Sequence, residues 1–182
     1  MGFSHLSSVD CYCRWYCKED GDMDDDAIDF MLCRIRYCGF EDALFYDRPR
    51  GYLTEITEWR SFVKSGRRLF FCIYKNNGTP IGAAWFESGT QTGKNFIAHF
   101  TTLTKPITDE HIKSGRALAC LLHEKLGIEQ LIGITPACYG HALKVAYAIG
   151  YKKVATLRKA VNIHGKMRDA VLSINDLRAL EV

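Results

Sequence analysis

The sequence predicts an α/β (α+β) fold, a mixed and mostly antiparallel sheet flanked by helices. Three observations predict it. Two apolar runs, Leu69–Tyr74 and Pro80–Glu87, are joined by Asn76-Asn77-Gly78-Thr79, and Asn-Gly between apolar runs is a strong hairpin signal. A strand–helix–strand pattern runs from Asn95 to Thr135 and ends in Gln130–Thr135, a short apolar strand suited to a buried parallel position. The chain closes on two further strands, Tyr151–Ile163 and Met167–Ile174, turned around His164-Gly165. One strand–helix–strand unit inside an otherwise antiparallel array makes the sheet mixed and lays helices against it.

Residues 1–22 show no clear period and read as an N-terminal segment ahead of a single domain over residues 23–182, with a strand before the first helix left open. Asp24-Asp25-Asp26 precede Ile28, Met31, Leu32 and Ile35. That i, i+3, i+4, i+7 spacing predicts a helix with acids at its positive end, stopping at Gly39. Asp47-Arg48-Pro49-Arg50-Gly51 reads as a loop. Thr54–Lys64 is a second helix, with Ile56, Trp59, Phe62 and Val63 on one side and Gly66 beyond its end. After the hairpin and a turn over Gly89–Lys94 comes the strand Asn95–Leu103, rich in β-branched and aromatic residues. Ala117–Leu122 and Leu126 carry the apolar face of the next helix. Pro136 ends the following strand. His141–Ile149 is then a helix with Ala142, Val145, Ala146 and Ile149 on one face and Gly150 as its cap.

Where the central helix begins is open from the letters alone. A start at Thr108 puts Asp109 and Glu110 in the first turn, which favours the helix dipole, and leaves Gly115 mid-helix at roughly 1 kcal/mol against alanine. A start near Lys113 makes Lys113-Ser114-Gly115-Arg116 a glycine turn at a helix N-terminus. There free backbone N–H groups and two cations could hold an anion.

With 182 residues, 47% hydrophobic and 25% charged, the chain has the profile of a globular protein with one good core. No apolar run reaches the length of a membrane span and the N-terminus lacks a signal pattern, so no membrane partner and a cytoplasmic location are expected. A net charge of +3 does not argue for nucleic acid. Of the eight cysteines, Cys72, Cys120 and Cys138 lie in apolar contexts. Cys11, Cys13, Cys17, Cys33 and Cys38 lack the paired Cys-x2-Cys spacing of common structural zinc sites, so no metal is expected.

Ala142-Leu143-Lys144-Val145-Ala146-Tyr147-Ala148-Ile149-Gly150-Tyr151-Lys152-Lys153 resembles the helix-then-Gly-aromatic segment of the GCN5-related N-acetyltransferases. Thr156-Leu157-Arg158-Lys159-Ala160 and the later Gly165-Lys166-Met167-Arg168-Asp169 resemble the ending of the branch that acetylates ribosomal protein N-termini. The likeness is dense over residues 139–174, and in element order it extends back to about residue 68. It implies acetyl-CoA as co-substrate, with the thioester lying where two parallel strands splay apart. It maps the family's pyrophosphate turn onto Ile112-Lys113-Ser114-Gly115-Arg116-Ala117, with Ile112 where the family carries Gln or Arg. It also implies that the main chain of Thr102, Leu103 and Thr104 pairs with the pantetheine arm. Where the family often has an Asn, this chain has Tyr139. Where it often has a Tyr that protonates the departing thiolate, this chain has Ala146, with Tyr147 next to it.

Acetylating an amine needs a group to take the amine's proton, usually through water, and a group to polarise the carbonyl. His99, within the central strand, and Glu87, ending the hairpin, are the candidate bases, an imidazole having the right ordinary pKa range. Tyr139 and Tyr147 are the candidate acids. The expected activity is direct transfer of acetyl from acetyl-CoA to a primary amine in a ternary complex. The acceptor is a small molecule or a protein amine, and a homodimer is a possible assembly. A non-catalytic module of the same fold is the alternative.

Overall fold

The computed structural model describes residues 4–5, 10–16, 23–39, 55–66, 68–89, 93–104 and 107–179. Cys17, the acidic turn ending at Asp22 and the loop Asp47–Gly51 lie outside them. Within the described residues eight strands make one sheet: β1 (Ser4–His5), β2 (Cys11–Tyr16), β3 (Arg68–Lys75), β4 (Pro80–Ser88), β5 (Asn95–Thr102), β6 (Gln130–Pro136), β7 (Lys152–Ile163) and β8 (Lys166–Asp176). Among the described residues four α-helices accompany them: α1 (Asp25–Tyr37), α2 (Ile56–Val63), α3 (Asp109–Leu126) and α4 (Gly140–Ile149). The strand order is β1-β2-β3-β4-β5-β6-β8-β7, and every neighbouring pair is antiparallel except β5 and β6.

The Asn-Gly hairpin forms as expected, with Gly78 at φ 82° and Lys75 N–H donating to the Thr79 carbonyl at 2.9 Å. The aperiodic start does not stay outside the sheet. Cys11–Tyr16 pairs with β3 from Cys11↔Lys75 to Tyr16↔Phe70. Cys11 and Cys13 are packed into the core as small apolar side chains, while Tyr12 stacks on Tyr74 at 5.3 Å.

Alternation along β3 divides the core. Phe70, Cys72 and Tyr74 face α1 and α2, together with Ala83 and Trp85 of β4. Phe71 and Ile73 face the other way, onto Leu118, Ala119 and Leu122 of α3. In α1 the expected stripe Ile28, Met31, Leu32 and Ile35 is fully buried, and the Asp24 carboxylate caps the helix by accepting from Ala27 N–H at 2.8 Å. Trp59 anchors α2 beneath it, donating its indole N–H to the Ile28 carbonyl at 2.6 Å. Arg60 and Lys64 reach Asp29 and Asp25 across the helix pair.

The central helix takes the earlier of its two starts. Thr108 is the N-cap, and Thr108 and His111 form a reciprocal capping box, so Asp109 and Glu110 fill the first turn. Gly127 ends the helix at φ 64°. Lys113–Arg116 is therefore helix interior, not a turn. Among the described residues no helix is long and apolar enough to cross a membrane.

Candidate active site

The site follows from a break in pairing. β5 and β6 are joined over Asn95↔Gln130, Phe96↔Leu131 and Ile97↔Ile132, and then run on to Thr102 and Pro136 without pairing to each other. Each remains hydrogen-bonded on its outer side, β5 to β4 as far as Thr102 and β6 to β8 as far as Pro136. Two parallel strands held apart in this way expose facing main-chain edges, which is how a sheet can accept an extended ligand as a further strand. A cavity of about 410 Å³ opens there, lined by β5 from Ala98 to Thr102, by Gly133 and Thr135 of β6, and by Cys138 to Ala142 entering α4. Its walls are mainly apolar with a few polar groups, the usual character of a small-molecule site.

His99 is one of those groups. It sits opposite Trp85 in the β4–β5 register, its ring stacked on the indole at 5.0 Å between centroids and 11° between planes. Trp85 in turn stacks on Phe70 and meets Phe62 edge-on, so the imidazole is the last ring of an aromatic row crossing three strands. Tyr139, the N-cap residue of α4, lines the same cavity. Thr102 lines it as well.

Of the other expected site residues Gly115 also lines the cavity, and the rest are placed elsewhere. Glu87 lies opposite Ile97, where β5 and β6 are still joined, and its carboxylate accepts from Arg68 Nε at 2.8 Å. Tyr147 is 41% exposed and absent from the cavity wall, whereas Ala146 is part of it. A helix turns about 100° per residue, which separates the two positions. Leu103 is fully buried; its N–H donates to the Ile81 carbonyl at 2.8 Å and its own carbonyl accepts from Cys38 Sγ–H at 3.0 Å. Its main chain is already committed to the protein. Thr104 Oγ1 is 2.8 Å from His111 Nε2.

Ile112–Ala117 have structural work inside α3. Ser114 is buried and donates to the His111 carbonyl at 3.1 Å. A Cβ on Gly115 would fall 2.6 Å from Ile149 Cδ1, so the missing side chain is what lets α3 approach α4. Arg116 donates Nε–H to the Ala148 carbonyl at 2.9 Å, satisfying the end of α4. Lys113 is exposed, and Ile112 and Ala117 are half-buried.

Cys138 and His141 also line the cavity, and the sequence reading missed them in this role. The available signal was position: both follow the C-terminal end of the parallel strand β6, the end at which ligands bind in open α/β sheets. Among the described residues no group of three or more His, Cys, Asp or Glu is placed to hold a metal ion. Cys11 and Cys13 face α3, while Cys33 is exposed on α1.

No protein-family profile matches the sequence, and no curated protein matches it. The fold has many counterparts among solved structures. A ribosomal-protein-S5-alanine acetyltransferase from Vibrio fischeri superposes with a TM-score of 0.74 at 11% identity, covering 100% of both chains. RimL, a ribosomal L7/L12 alpha-N-protein acetyltransferase in complex with coenzyme A, gives 0.77 at 13% identity over 98% of this chain and 100% of that one. A spermidine N-acetyltransferase from Vibrio cholerae, in complex with CoA and spermine, gives 0.70 at 8% identity over 93% of this chain and 96% of that one. With its single splayed parallel pair in a mostly antiparallel sheet, the chain has the fold of the GCN5-related N-acetyltransferases.

Proposed function

We propose that the chain is an N-acetyltransferase that moves an acetyl group from acetyl-CoA to a primary amine by direct attack in a ternary complex. The parting of β5 from β6 after Ile97↔Ile132, with the 410 Å³ cavity at the fork, carries this reading. The structural counterparts are acetyltransferases, and two of them are in complex with CoA. Acetyl-CoA supplies an activated acyl carbon. The chain would supply the facing edges of Ala98–Thr102 and Gly133–Thr135 to hold the arm extended.

In the step itself the amine nitrogen bonds to the thioester carbon, the C–S bond breaks, the amine loses a proton and the thiolate gains one. His99 is the group we assign to the amine's proton, directly or through one water, because it is the imidazole of the β5 wall and Trp85 fixes its plane. Tyr139 is the hydroxyl we assign to the thiolate, since the wall position at Ala146 carries no donor. Glu87 and Tyr147 have no part in this scheme. A cytoplasmic location belongs to the same proposal.

A thermal-shift or calorimetric titration with acetyl-CoA tests the reading, and the absence of binding at millimolar concentration sinks it. Thiol release measured across a panel of amines then separates the enzyme from the non-catalytic alternative, which binds without turning over any acceptor.

A further inference from the structure

Charge is spread unevenly along this chain. From Gln130 to Arg168 there are seven Lys and Arg and no Asp or Glu, while the other residues carry 17 Lys and Arg against 21 Asp and Glu. The run covers β6, the cavity lip from Cys138 to Ala142, α4, β7 and the start of β8. The modest net charge of +3 therefore conceals one acid-free region at the mouth of the site.

Most of these cations lie on a ribbon. β6 pairs with β8 as far as Pro136↔Ala170, whereas β7 and β8 stay paired out to Ile163↔Lys166 and turn at His164-Gly165. Beyond Ala170 the two strands run on without β6, for roughly 15 Å at a rise of about 3.4 Å per residue. Arg158 and Lys159 stand in the irregularity between Leu157 and Val161, with Lys159 at φ 47°. Lys166 and Arg168, two apart on β8, share one face. All four are exposed, as are Lys144, Lys152 and Lys153. Among the described residues none of the seven is in an ion pair. Asp169, the first acid after the run, has its carboxylate on Lys159 N–H at 2.9 Å. At the opposite end of β6 the charges are matched, Lys94 with Glu129 at 2.5 Å and Arg178 with Asp176 at 2.7 Å.

The ribbon is tied to the cavity. The Asp169 carbonyl accepts from Ala137 N–H at 2.8 Å, and the next residue, Cys138, lines the cavity. Charges on an edge strand also keep a sheet from pairing with another. Either sign serves that purpose, so it does not account for a run of one sign.

We propose that the β7–β8 ribbon docks the acceptor, and that the acceptor is an acidic polypeptide whose primary amine enters the cavity at Cys138–Ala142. The proposal rests on the acyltransferase reading and narrows its amine to a substrate class. A small amine does not reach from the cavity lip along the ribbon; a polypeptide does, at up to about 3.5 Å per residue. A polyamine meets only like charge there. Residues 152–168 contain no Phe, Tyr or Trp on which bases could stack, so the ribbon suits carboxylates better than single-stranded nucleic acid. Val154 and Met167, 58% and 53% exposed, place apolar contacts among the cations.

The test compares two peptides of equal length as acceptors of acetyl-CoA, each with one N-terminal primary amine. One is rich in Glu and the other has Gln at the same positions. The full chain should favour the acidic peptide in kcat/KM by about tenfold at low salt, the effect of several exposed charge pairs together. The gap should close towards 1 M salt, where screening acts over about 3 Å. The Arg158→Glu/Lys166→Glu/Arg168→Glu variant should lose the preference while its melting temperature and its calorimetric affinity for acetyl-CoA stay at the wild-type values. Lys166→Ala/Arg168→Ala, a gentler change, should move the preference the same way. Equal rates with the two peptides, or a polyamine acetylated faster than the acidic one, overturn the proposal and leave the acyltransferase reading intact. Loss of acetyl-CoA affinity in the charge-reversed variant does the same, by assigning the ribbon to the donor. So does a single-stranded RNA oligonucleotide that binds the ribbon more tightly than the acidic peptide. Failure of acetyl-CoA to bind the wild-type chain overturns the reading and the proposal together.

Discussion

His99 lies flat against Trp85, with ring planes 11° apart and centroids 5.0 Å apart, and that contact fixes the plane of the only imidazole on the β5 wall of the cavity. Stacking of this kind contributes about 0.5–1.5 kcal/mol beyond area burial. The ring is thus held by a neighbour that takes no part in chemistry. His99→Gln should lower turnover of acetyl-CoA with a competent amine by about 10²–10⁴, the range for losing a positioned general base. Its melting temperature should barely move, since Trp85 keeps Phe70 and Phe62. Steady-state rates alongside a melting curve decide it; unchanged turnover removes His99 from the mechanism.

Tyr139 and Tyr147 make a paired comparison on one helix. Tyr139→Phe removes a hydroxyl from the cavity wall and should slow thiol release by roughly tenfold or more. Tyr147→Phe alters a side chain 41% exposed and off that wall, and should leave the rate within about twofold, as for most surface changes. Equal losses in both would place the departing thiol on the other side of α4.

Gly115 gives a packing prediction with a change of sign. Alanine there gains up to about 1 kcal/mol of helix propensity, but its Cβ would fall 2.6 Å from Ile149 Cδ1 and 3.0 Å from Cγ1. Overpacking of this order costs roughly 1–3 kcal/mol, so Gly115→Ala should be destabilising by about 1 kcal/mol net. In an Ile149→Val background the nearest clashing atom is gone, and the same change should become neutral or stabilising. Urea unfolding of the four chains of the double-mutant cycle measures this. An equal cost in both backgrounds would show that Gly115 does not mediate the approach of α3 to α4.

Most of the fold was legible because its signals are local. The Asn-Gly turn, the Ile28–Ile35 stripe and the apolar run Gln130–Thr135 each point to one element, and their order leaves few topologies. Cys11–Tyr16 was harder to read. Its alternation is Cys, Tyr, Cys, Arg, Trp, Tyr, and cysteines weighed as metal ligands hide the fact that they are the inward-facing residues of a strand. Of the candidate site, the cavity-wall positions of His99 and Thr102 were legible because they depend on strand position. Gly115 is ambiguous in the letters because a glycine that relieves helix–helix crowding and one that admits a phosphate look the same; the packing role becomes visible only through Ile149, 34 residues later. The engagement of Leu103 by Ile81 and Cys38 is likewise a long-range fact that no spacing reports.

His111 supplies the pH dependence. It is 2% exposed, with Nδ1 accepting from Thr108 N–H at 2.9 Å and Nε2 at 2.8 Å from Thr104 Oγ1, so it joins the end of β5 to the first turn of α3. Burial holds its pKa below the ordinary 6.5, against opposing pulls from the backbone hydrogen bond at Thr108 and from the neighbouring Glu110 carboxylate. A ring that accepts at Nδ1 must also be neutral to do so. The unfolded chain therefore binds a proton that the folded chain resists. The contribution of His111 to stability is fully present above about pH 6.5 and is lost as pH falls below it. Urea midpoints measured at about pH 7.5 and about pH 5.5 should drop for the wild type and drop less for His111→Gln, which keeps an acceptor near Thr108 without titrating. A wild-type curve no steeper than the variant's over that window would mean that His111 takes up its proton in the folded chain at no cost. The capping box would then have to survive with a charged ring.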